Sequence, residues 1–117
     1  MKIYIISILT ILLVNTAVAQ QESSISITVA NQFHEKYNAN DYEGIFIMFS
    51  KEMKSFMPHD KAIAFLNSLN TEAGTIKKRI FIKYPQANVA LYKTTFERAV
   101  VALFISIDVN SEINGLM

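Results

Sequence analysis

Apolar side chains recur every fourth residue at Ile25, Val29, Phe33 and Tyr37, while Gln32, Glu35 and Lys36 fall on the opposite side. That spacing predicts a helix with one apolar stripe. Residues 38–40 interrupt it, and Asn40 followed three positions on by Glu43 has the form of a helix-starting cap. Tyr42, Ile45, Phe46, Phe49, Met53 and Phe56 make a second stripe, which Pro58 ends or bends. Ile63, Leu66 and Leu69 mark a third, shorter helix closed by Ala73 and Gly74.

From Thr75 the period falls to two, the spacing of strands. Even positions Ile76, Lys78, Ile80, Ile82 and Tyr84 share one face, and Lys77, Arg79 and Lys83 share the other. Residues 84–88 supply a proline turn. The run from Val89 to Phe96 then meets the run from Ala99 to Ile107 across a tight turn at Glu97 and Arg98. This sets Phe96 opposite Ala99, Thr94 opposite Val101 and Tyr92 opposite Leu103. After a turn at residues 108–112, Ile113 opens a further strand that stops at Met117. Asn114-Gly115 as a hairpin turn has too little chain behind it for a return strand. The expectation is an α+β domain: three N-terminal helices packed on the concave side of a curved antiparallel sheet of three to four strands, the final strand truncated.

The first residues belong to none of these elements. One cation, Lys2, precedes an apolar run of about a dozen residues, with small residues at Ala17 and Ala19, which is the form of a secretory signal cleaved after Ala19. The run is shorter than the roughly 20 residues that span a bilayer and contains Ser7 and Thr10. Residues 1–19 are thus read as a signal peptide and residues 20–117 as one domain, periplasmic or secreted, with no stable membrane anchor after cleavage. The chain has no cysteine, so neither a disulfide nor a thiol for lipid attachment enters the picture. Without Lys2, basic and acidic residues balance at ten each, which argues against nucleic acid as a partner.

The stretches FHEKYNANDYEGIFIMFSKEMK, FLNSL, AGTI, YKTTFERAVVALFISID and INGL, in that order, resemble a bacterial domain of unknown function with the cone-shaped fold of the nuclear-transport-factor-two-like superfamily. The resemblance runs from about Val29 onward. It implies a cone-like roll and an exported N-terminal module that is followed, in similar proteins, by a serine hydrolase related to β-lactamases and penicillin-binding proteins. In those domains INGL begins a longer fourth strand, so this chain reads as a truncated version of a longer protein.

Catalytic chemistry finds no foothold in the pattern. S-x-x-K and G-x-S-x-G do not occur, and Lys93 to Thr95 only superficially matches a K-T-G box. His34-Glu35 starts like H-E-x-x-H, but Asn38 stands where the second histidine is needed. His59 and Asp60 follow Pro58 at a helix start. No catalytic residue, metal ligand or cofactor is therefore assigned.

Two groups remain of interest. Lys78, Tyr84 and Tyr92 point by alternation into the concave interior, where a charged group needs a partner or water, and they form a candidate ligand site. Phe81, Leu91, Val100 and Phe104 fall by alternation on the outer face, an apolar patch that suits contact with a second copy or a hydrolase domain. The expectation is a non-catalytic accessory module, with a small-ligand-binding protein or weak enzyme using the cone's interior as the alternative.

Overall fold

The structure is a computed structural model that describes residues 20–117; the signal segment at residues 1–19 lies outside the described residues. Helices α1 (Ser24–Asn38), α2 (Tyr42–Ile47), α3 (Lys51–Phe56) and α4 (His59–Ala73) precede strands β1 (Ile76–Gln86), β2 (Val89–Phe96), β3 (Val100–Ile107) and β4 (Ile113–Leu116). The strands form one antiparallel sheet in chain order. Helices and one sheet face enclose a single apolar core, so the α+β expectation holds. Among the described residues that core lies within residues 29–116.

In α1 the Ser23 hydroxyl accepts from the Ser26 N–H and caps the helix. Its buried stripe is Ser26, Val29, Ala30, Phe33 and Tyr37, while Ile25 is 53% exposed. The expected stripe is thus right from Val29 onward and turned at its start, where Tyr84 satisfies the buried Ser26 hydroxyl at 2.8 Å. Tyr37 closes the far end: its hydroxyl donates to the Gly74 carbonyl at 2.8 Å, and its ring meets Phe96 edge-on at 5.8 Å. Burial above all lifts its phenol to about 12. The Asn38 side chain, by exchanging two hydrogen bonds with the Ile76 backbone at 2.9 and 2.8 Å, pins α1 to the first residue of β1.

The expected second helix is two, so the described residues form four helices where the pattern suggests three. Asp41, not Asn40, caps α2 by accepting from the Gly44 N–H. The break falls at residues 48–50: Ser50 N–H donates to the Ile113 carbonyl at 2.8 Å, and Ile113 N–H to the Met48 carbonyl at 2.9 Å. Backbone given to β4 cannot serve a helix. Ser50 then caps α3 through the Met53 N–H. Phe49 and Met53 are buried in this broken geometry as they would be in a continuous helix, whereas Phe56 is 87% exposed.

Strand β1 departs most from simple alternation. Its pairing with β2 shifts register between Ile76 and Lys78 and again between Phe81 and Lys83. Each bulge adds a residue and reverses the faces beyond it. Ile76, Arg79, Phe81 and Tyr84 therefore turn toward the helices, and Lys78, Ile80 and Ile82 turn away. The strand runs on through Pro85, and the turn is made at Ala87 and Asn88, with Asn88 at φ 70. From β2 to β3 the expected pairs are present: Tyr92 faces Leu103, Thr94 faces Val101, and Phe96 N–H donates to the Ala99 carbonyl. Strand β4 pairs with β3 through Ile105–Leu116 and Ser106–Gly115.

Candidate functional site

Helix α1 lies across the inner face of the β1–β2 hairpin, and a polar seam runs between them. Arg79 Nη1 is 2.7 Å from His34 Nδ1, and Nη2 donates to Asn31 Oδ1 at 2.5 Å. The guanidinium lies 5.3 Å from the centre of the Tyr92 ring. Tyr92, 1% exposed, donates its hydroxyl to Glu22. Burial first, then the Glu22 carboxylate, hold that phenol far above the ordinary tyrosine range. His34 is shifted down, by burial and then by the Arg79 charge.

Toward the N-terminus of α1 the seam opens into a cavity of about 460 Å³ lined by Ser23, Ile25, Ser26, Tyr84, Asn88 and Asp108, among others. That volume suits a small ligand. The Tyr84 hydroxyl accepts from the Ser23 N–H at 2.8 Å and lies 2.8 Å from Ser26 Oγ. Burial raises the Tyr84 phenol, but the hydrogen bonds from Ser23 and Ser26 outweigh it and leave a net downward shift. Gln20 Oε1 accepts from the Tyr84 N–H at 2.7 Å.

Of the three interior candidates, Tyr84 lines this cavity and Tyr92 lies beneath it, linked by Phe81 at 5.1 and 6.0 Å between ring centres. Lys78 does not join them. The first bulge puts it on the outer face opposite Thr95, exposed, and Arg79 holds the inward position assigned to it. The same shift moves Phe81 from the outer patch into the core. The sequence signal for Arg79 was present in the density of cations at Lys77–Arg79, but alternation aimed the wrong one inward.

The outer face is built in cross-strand rows. Lys78, Thr95 and Val100 form one row; Ile80, Lys93 and Ala102 the next; Lys83, Leu91 and Phe104 a third. Leu91, Val100 and Phe104 lie where alternation put them, and Ile80 and Ile82 take the place of Phe81. Val100 is 62% exposed, Ile82 47% and Ile80 42%, so this is uncovered apolar surface. A shallow depression of about 290 Å³ sits among Ile82, Leu91, Lys93, Val100 and Ala102.

Elsewhere, His59 bonds Glu43 through Nε2 at 2.7 Å and Asp60 through Nδ1 at 2.9 Å. The carboxylates occupy opposite ring nitrogens and cannot converge on one ion. Among the described residues no group of three or more acidic or histidine side chains is placed to hold a metal. No described helix is long and apolar enough to cross a membrane.

A family model described as a protein of unknown function, DUF3887, matches residues 30–116. No curated protein and no solved structure matches the chain.

Proposed function

The chain belongs to the DUF3887 family of proteins of unknown function, and on that footing we propose that it is an exported, non-catalytic accessory module. It works by contact through the outer face of its sheet. The observation that carries this reading is the outer face of the sheet, where Ile80, Ile82 and Val100 stand exposed beside the half-buried Leu91 and Phe104. Aliphatic side chains in contiguous rows on an exposed face favour a docking role over a solvated one. The resemblance to cone-shaped domains that precede serine hydrolases supports the same reading, with a hydrolase domain or a second copy among the partners it suggests. A small-ligand role is favoured by one observation, the cavity around Tyr84.

Photo-crosslinking in producing cells tests the contact reading. A photoreactive residue at position 82 or 100 is expected to give adducts that one at Gln32, exposed on α1, does not. Equal yields, or none from the sheet positions, would overturn it. Labelling of the purified chain by a fluorophosphonate or penicillin probe, abolished by replacing one serine, would overturn the non-catalytic part. Export predicts secreted material whose intact mass begins at Gln20; retention of residues 1–19 in a membrane fraction refutes it.

A further inference from the structure

Beyond residue 19 the charges balance at ten each but are not mixed. Between Thr75 and Phe96 stand Lys77, Lys78, Arg79, Lys83 and Lys93 and no acid, while seven of the ten acidic residues lie between Glu22 and Glu72, before the sheet. Arg79 is turned inward onto His34 and Asn31. The other arginine, Arg98, is held by the carbonyls of Asn70, Thr71 and Glu72. The outer face is left with lysines, interleaved with Ile80, Ile82, Leu91 and Val100, and the rows described above contain no acidic residue.

We propose that the occupant of this face is a bilayer surface bearing anionic lipid headgroups, an inference that rests on the outer-face reading above. Charge complementarity requires a negative partner. Side-chain type then selects among negative partners. Protein interfaces are enriched in arginine and aromatic residues and poor in lysine, whereas the exposed cations of these rows are all lysines and Phe104 is their one aromatic ring. A lysine is a point charge on an apolar stem. It imposes no fork geometry, and beside isoleucine and valine it can lay its stem along hydrocarbon while its ammonium reaches a headgroup. A second copy packed face to face would oppose lysine rows with no carboxylate between them. Single-stranded nucleic acid calls for stacking rings that these rows lack.

The test uses the mature chain that the export reading gives, residues 20–117, sedimented with vesicles of phosphatidylcholine or with vesicles in which a quarter of that lipid is phosphatidylglycerol. Binding is expected to the anionic vesicles only and to weaken with added salt. Lys78→Gln, Lys83→Gln and Lys93→Gln together are expected to lower partitioning about a hundredfold, each lysine being worth about fivefold at an anionic surface. Lys51→Gln with Lys61→Gln, on the helical side, should change it little, and Ile82→Ser with Val100→Ser should lower it with unaltered thermal unfolding. Equal binding to neutral vesicles, or a triple variant that binds like the parent, overturns the proposal. Face-dependent self-association, or binding to polyglutamate or single-stranded DNA as tight as to vesicles, also overturns it but leaves the contact reading standing. Silence in every arm, together with no crosslinks from positions 82 and 100, removes both.

Discussion

Arg79 Nη1 stands 2.7 Å from Nδ1 of His34, and since a guanidinium only donates, that ring nitrogen carries a lone pair. His34 is therefore neutral in the fold, its proton on Nε2. His59 is the opposite case, an exposed imidazole between two carboxylates.

The two histidines should titrate on opposite sides of the ordinary value of about 6.5. His34 is shifted down by burial and by Arg79; His59 is shifted up by its bonds to Asp60 and Glu43. The signs for stability differ accordingly. The unfolded chain takes up a proton at His34 before the folded one does, so His34 costs stability as pH falls below about 6.5. His59 adds stability below that value and loses it as pH rises through its raised folded value. Proton NMR titration of the two ring C–H signals checks this; coincident midpoints, or a reversed order, contradict the assigned partners.

Alanine at Arg79 and at Lys78 should separate the inward from the outward cation. Arg79→Ala removes bonds to His34 and Asn31 and the stacking on Tyr92, and is expected to cost about 2 kcal/mol. Lys78→Ala should stay within about 0.5 kcal/mol. Urea unfolding of the two variants measures the difference, and equal losses would mean that β1 is in a different register.

That pair also shows where the sequence stops being legible. Alternation assigned β2 and β3 correctly, because each of their residues advances the pleat by one face. It failed in β1 because a bulge near Lys77 and another near Ile82 add residues without a change in composition. The break between α2 and α3 was hidden for a related reason. Phe49 and Met53 keep helical spacing, while the backbone between them is diverted to Ile113, more than sixty residues away in sequence. Local pattern cannot register a partner so distant. Of the interior candidates, Tyr92 was found because β2 alternates against β3 without a shift, Tyr84 because the two bulges before it cancel, and Lys78 was missed because only one bulge precedes it.

Thr94 is fully buried on the inner face, and its hydroxyl has no hydrogen-bond partner. Thr94→Val keeps the shape and removes the orphaned group, so it should stabilise the fold by about 1 kcal/mol. Chemical denaturation decides the sign. A loss of similar size would show that the hydroxyl is satisfied, for instance by a buried water.

Gly74 ends α4 at φ 86 and ψ −159, a region that essentially only glycine occupies. A side chain there also meets Glu97, whose carboxylate accepts from the Thr75 N–H at 2.9 Å and whose N–H donates to the Thr75 carbonyl at 3.0 Å. The β2–β3 turn thereby clamps the passage from helices to sheet. Gly74→Ala is expected to cost about 2 to 4 kcal/mol, from backbone strain and from displacement of Glu97. Glu97→Ala alone should cost about 1 kcal/mol. If both causes act, the double variant should be less destabilised than the sum of the two singles, because Glu97→Ala removes the carboxylate part of the collision and leaves the contact with its Cβ at 2.8 Å and the backbone strain. Urea unfolding of the four proteins in this cycle gives the coupling directly. Strict additivity would leave strain and the Glu97 Cβ contact as the whole cost, and a Gly74→Ala loss below about 0.5 kcal/mol would exclude the left-handed passage itself.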